Sequence, residues 1–242
     1  MINSINTFGC SWTAGPFGHP TDFPWPLLLA DNLKDIQVNN WAREGTSISY
    51  QSYILDAFCQ NIKKPNDIII FQITTETRFS HWDANLHKNF DQMIKKWTSR
   101  NYCHYMLDTS INLGNITAGD LVTGYSWRVF PNNKKWKKEK NTFAKQYYKR
   151  VGISQSLFDF MMYLDYVIPK VDFIYFHREN INKKESNYSF IKNKYKNIPC
   201  VREDVFGVDE YKEYVIDDGE HLNIKGNNMV ADFVLKNIEH LL

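Results

Sequence analysis

Ile5-Asn6-Thr7-Phe8-Gly9-Cys10-Ser11-Trp12-Thr13 is the stretch whose reading decides the fold. Ile5 to Phe8 is short, partly β-branched and aromatic, which suits a strand, and Gly9 permits a sharp exit with a close backbone approach. Ser11 then sits at the C-terminal end of a strand. If a helix begins soon after, the backbone N–H groups around Ser11 face outward and can hold a developing oxyanion. A serine hydroxyl is a poor nucleophile unless a base takes its proton. The far end of the chain supplies Asp218-Gly219-Glu220-His221, an acid and a histidine three residues apart. His221 is the candidate base and Asp218 the group that orients its imidazole, with Asp217 as the neighbouring alternative. The plainer readings are that Ser11 caps a helix and that Asp218 and His221 form a turn before a helix N-terminus.

From this opening the chain alternates strand-like and helix-like segments. Trp25 to Leu33 has helical spacing after Pro24, Ile36 to Trp41 is a second strand leading to Gly45, and Ile48 to Ile62 is a helix. Ile68-Ile69-Ile70-Phe71-Gln72-Ile73 is an unbroken apolar strand of the kind covered on both faces of a parallel sheet. Phe143 to Val167 is a helix candidate, Val171 to Phe176 a fourth strand, Ile198 to Val201 a short fifth, and Leu222 to Leu242 a closing helix. The pattern predicts an α/β fold of three α/β/α layers, with a parallel, flavodoxin-like sheet of about five strands. Ligands bind such sheets at the carboxyl ends of the strands. Ser11 follows the first strand, Gly45 the second, and Thr74, Thr75, Thr77 and Arg78 the third, so all of them fall on one edge. His177 and Arg178 follow the fourth strand, whose end faces the same cleft, though an isolated His–Arg pair reads more readily as a polar rim.

Residues 79–141 form the least patterned span, with a possible helix from Phe90 to Trp97 and a basic run, Lys134-Lys135-Trp136-Lys137-Lys138. The span exceeds an ordinary connection and reads as an insertion near the cleft, within a single domain over 1–242. The basic run, next to Glu139, reads as a solvated loop.

At 242 residues and 43% hydrophobic content the chain is large enough for a substantial core. A net charge of +2 supplies no case for nucleic acid or an anionic membrane surface as partner. Four cysteines, Cys10, Cys59, Cys103 and Cys200, are scattered with no C-x-x-C spacing, so neither a metal site nor a redox pair is expected. No signal peptide and no apolar run of about 20 residues is present, which leads to the expectation of a cytoplasmic protein. Oligomeric state is not legible.

Gly9-Cys10-Ser11-Trp12-Thr13 resembles the first block of the SGNH/GDSL hydrolases, usually Gly-Asp-Ser-x-Thr, and Asp218-Gly219-Glu220-His221 resembles their last, Asp-x-x-His. Asn40-Trp41-Ala42-Arg43-Glu44-Gly45 is similar to the second block, whose glycine N–H joins the oxyanion hole. The blocks come in the family's order. The third departs: where Gly-x-Asn-Asp is usual, this chain has Thr74-Thr75-Glu76-Thr77, and an ionised glutamate neither donates nor favours an oxyanion. Either Thr74, Thr75, Thr77 or Arg78 supplies the donor, or the site is weakened. The resemblance implies a Ser11–His221–Asp218 esterase without a cofactor, cleaving a small acyl ester, including acetylated sugars. The alternative is a binding or assembly protein that keeps the fold.

Overall fold

The structure is a computed structural model describing residues 2–15, 23–42, 47–74, 79–82, 121–124, 158–177, 193–206, 211–216 and 221–242. Its centre is a parallel sheet of β1 (Ser4–Phe8), β2 (Gln37–Asn40), β3 (Asp67–Ile73) and β6 (Phe173–Phe176) in the spatial order β2-β1-β3-β6. Ile5 pairs with Val38 on one side and Ile68 on the other, and Phe71 pairs with Ile174. All seven residues of β3 are buried. Alternation then sends Ile68 and Ile70 to one face and Ile69, Phe71 and Ile73 to the other, which is why the apolar run carries no polar period.

Each face has its own core. Ile68, Ile70, Val38 and Tyr175 pack with Trp25 and Leu29 of α2 (Trp25–Asn32) and Val230, Val234 and Ile238 of α5 (Ile224–Ile238). On the opposite face, Phe8, Ile69, Phe71 and Ile73 meet Ile54, Leu55 and Phe58 of α3 (Ile48–Asn61) and Phe160 and Leu164 of α4, helical over 158–167. This is a three-layer α/β/α arrangement with the flavodoxin-like strand order. A fully buried Ile or Phe contributes about 1.5–3 kcal/mol, so the two cores, not helix propensity, hold the layers.

The chain ends differ from the expected elements in two places. Ile198 to Val201 makes only a single parallel bridge, Cys200 to Phe176, rather than a fifth strand. Asp204 explains it: its carboxylate accepts from the Cys200 amide at 2.8 Å and its amide donates to the Cys200 carbonyl at 2.8 Å, so these backbone groups are used locally as the chain turns into the π-helix Arg202–Phe206. The closing helix starts at Ile224, where the Asn223 side chain caps it by accepting from the Gly226 amide. Within the span read as an insertion, β4 (Phe79–Trp82) and β5 (Leu121–Gly124) form an antiparallel pair outside the main sheet. The helix sought at Phe90 to Trp97, the first part of the one sought from Phe143, and the Lys134–Lys138 run lie outside the described residues.

Candidate active site

The order β2-β1-β3-β6 reverses direction between β1 and β3, and a doubly wound sheet opens a crevice at the carboxyl ends of such a pair. Ser11 and Thr74 come from these two strand ends. β1 stops at Phe8, Gly9 turns the chain, and Ser11 is the first residue of a four-residue helix, α1 (Ser11–Ala14). Gly9 is required here by space: a Cβ on it would lie 2.5 Å from Thr13 Oγ1 and 2.7 Å from Gln72 Oε1. Among the described residues, no backbone hydrogen bond uses the Ser11 amide.

A helix of four residues cannot hold itself, and buried side chains pin it instead. Gln72 reaches up from β3, and its Oε1 accepts from the Cys10 amide at 3.0 Å and from Thr13 Oγ1 at 3.2 Å. Its Nε2 is used by the Ile73 carbonyl. Asn40, at the end of β2, donates from Nδ2 to the Thr13 carbonyl at 2.9 Å and accepts from the Ala42 amide at 3.1 Å. The indole N–H of Trp25 donates to Thr13 Oγ1 at 3.4 Å. On the far side Trp12 stacks on His177, with ring centroids 4.2 Å apart and planes 21° from parallel. Below them Tyr175 is wholly buried near Thr13 and Trp25 without a well-formed hydrogen bond to either, and burial pushes its phenol far above the usual range.

His221 enters from the helical layer. The Val215–Leu222 bridge and the Ile216 amide, which donates to the His221 carbonyl at 2.8 Å, close a short loop, and Asn223 donates its amide to Tyr214 at 2.9 Å before α5 begins. Gly226 lets the loop approach: a Cβ there would stand 2.4 Å from the Tyr214 carbonyl. Asn227, buried in the first turn of α5, accepts from the Trp25 amide at 3.0 Å and donates to the Leu222 carbonyl at 3.1 Å. That side chain sets the N-termini of α2 and α5 side by side. Because α2 follows β1 through α1, its N-terminus lies at the carboxyl edge, and the His221 loop is brought to that same edge. A polar path, Thr13 to Trp25 to Asn227 to Leu222, connects the two ends of the chain.

Of the residues sought from sequence, Ser11 and Thr74 are buried at neighbouring strand ends and His221 is half-buried on the tied loop. Asp218, its neighbour Asp217, Gly45, Thr75, Thr77 and Arg78 lie outside the described residues, as does Arg178. His177 corrects one expectation: it is 1% exposed under Trp12, not part of a polar rim. Gln72, Asn227 and the Trp12–His177 stack were not singled out from sequence. A lone glutamine inside an apolar strand was the one available signal for Gln72.

The described residues hold no group of three His, Cys, Asp or Glu side chains suited to a metal ion. Cys10 and Cys59 are free thiols, and burial pushes Cys59 up. No described helix is long and apolar enough to cross a membrane.

No protein-family model matches the chain and no curated protein matches it. Solved structures are similar to it at low identity. One is a member of the lipolytic protein G-D-S-L family from Veillonella parvula DSM 2008, at 11% identity and TM-score 0.45 over 96% of both chains. TesA is similar at 12% identity and TM-score 0.45, over 99% of this chain and 100% of that one. A lipase, Lip_vut3, from a goat rumen metagenome is similar at 11% identity and TM-score 0.40 over 97% of each. These likenesses leave the assignment to the residues at the sheet edge.

Proposed function

We propose that the protein is a serine hydrolase of the SGNH/GDSL type, with Ser11 as nucleophile and His221 as general base. The observation that carries this reading is the position of Ser11 as the first residue of a pinned helix at the β1/β3 crevice, on the edge to which Asn227 ties the His221 loop. In the first step His221 takes the hydroxyl proton while Ser11 Oγ bonds to the ester carbonyl carbon. The tetrahedral oxyanion is held by the Ser11 amide, with Gly45 and one of Thr74, Thr75, Thr77 or Arg78 as further donors. The C–O bond to the alcohol then breaks, and His221 returns the proton to the departing alcohol. Water, deprotonated by the same histidine, releases the acid from the acyl-serine. Asp218 orients the imidazole and stabilises its charged form. The substrate class is a small acyl ester, with acetylated carbohydrate as the leading candidate.

Hydrolysis of a short-chain aryl ester tests it. Ser11→Ala and His221→Ala should each lower kcat by at least about 10³-fold while the fold is kept. Full turnover by Ser11→Ala would overturn the assignment. The third block favours a second reading. With Thr74-Thr75-Glu76-Thr77 in place of Gly-x-Asn-Asp, a fold that binds an ester or glycan without cleaving it is the alternative, and it predicts binding with no Ser11-dependent turnover.

A further inference from the structure

We propose that His177 is a positioning residue for Ser11, acting through its stack on Trp12. The proposal rests on the reading of Ser11 as nucleophile. Ser11 lies between two held neighbours: Cys10 is fixed through its amide by Gln72 Oε1, and Trp12 is fixed through its ring by His177. Gln72 holds Cys10 and Thr13, and Asn40 holds Thr13, so these bonds act on the strand side and the C-terminal side of α1. The imidazole adds a restraint on the Trp12 ring itself, next to Ser11. His177 is itself placed by β6, whose Phe176 pairs with Ile73 of β3, so the stack ties the nucleophile's turn to the far strand of the sheet. Trp12 is 5% exposed and His177 1%, so the pair is packed and not a surface contact. Ring size and flatness are what the contact uses. A nucleophile displaced by about 1 Å loses on the order of 10²-fold in rate, so a restraint on its turn shows in the chemical step more than in binding.

The test is covalent labelling of the full chain with a fluorophosphonate. The Ser11 Oγ–P bond forms, the P–F bond breaks, fluoride leaves, and the hydroxyl proton passes to the base. Concentration dependence separates the maximal rate, kinact, from the half-saturating concentration, KI. His177→Leu fills the volume without a flat ring, and His177→Phe keeps one. The expected result is a kinact lowered by about 10- to 100-fold in His177→Leu, with KI within about threefold of wild type, and recovery to within about threefold in His177→Phe. Thermal midpoints of the three proteins register any loss of fold separately. Wild-type kinact in His177→Leu, or a His177→Phe as slow as His177→Leu, overturns the proposal while leaving Ser11 as nucleophile. A wild-type protein that is not labelled at Ser11 overturns both.

Discussion

Gln72→Leu removes an acceptor from the centre of the latch with little change in volume, and its cost follows from the bonds it breaks. Oε1 receives the Cys10 amide at 3.0 Å, the Cys10 thiol at 3.3 Å and the Thr13 hydroxyl at 3.2 Å. The thiol is a weak donor, so the Cys10 amide, the Thr13 hydroxyl and the Ile73 carbonyl that loses Nε2 decide the outcome. A buried backbone N–H left without an acceptor costs about 1–3 kcal/mol, and a hydroxyl that can rotate costs roughly 1 kcal/mol. Removing the amide itself from a buried site offsets part of this, so the net loss is about 2–3 kcal/mol. For a chain of this length that corresponds to a fall in Tm of about 4–12 °C. A double-mutant cycle with Thr13→Val in urea isolates the shared bond: the two changes together should cost about 0.5–1.5 kcal/mol less than their sum. A Tm within about 1 °C of wild type, or strict additivity, would refute the account of the latch.

Two further outcomes follow from the loop and the opposite edge. Gly226→Ala places a Cβ against the Tyr214 carbonyl, a backbone atom that cannot swing away, so it should destabilise by about 2 kcal/mol or more and slow ester turnover; urea unfolding and kcat of the same samples check both. At the amino edge, Asp67 is buried; burial alone would raise its carboxyl, but bonds from the Asn3 amide group, the Lys64 backbone amide and the Ser4 hydroxyl outweigh it and hold it below the ordinary range. A depressed folded value means stability that is present above about pH 4 and lost as pH falls through the folded value. Wild type should therefore lose more stability on acidification from about pH 5 to 3 than Asp67→Asn does, and parallel urea curves at each pH would contradict this.

Much of the edge was legible because strong local signals coincided there. A strand stopped by Gly9, the unbroken Ile68–Ile73 run and the helices from Trp25 and Ile48 all formed close to their expected bounds, because each has two-sided or one-faced burial that its pattern reflects. The latch was not legible. Gln72 and Asn227 look like an interruption in a strand and a polar residue on a helix, and only the tertiary meeting of β1, α2 and α5 turns them into acceptors for Cys10 and Trp25. His177 read as a rim residue because a histidine after a strand carries no mark of the tryptophan that will cover it. The fifth strand failed for a local reason, since Asp204 competes for the backbone of Cys200 and no apolar pattern reports that. Asp218 and Gly45 stay with the resemblance that suggested them.

The most direct measurement of the central claim is peptide mapping of the protein after fluorophosphonate treatment, with Ser11→Ala and His221→Ala alongside. The account predicts one phosphonylated peptide in the native chain, modified at Ser11, no adduct in Ser11→Ala, and at least about 10³-fold slower labelling in His221→Ala. An adduct on another serine, or labelling of Ser11 that proceeds at the same rate without His221, would contradict it.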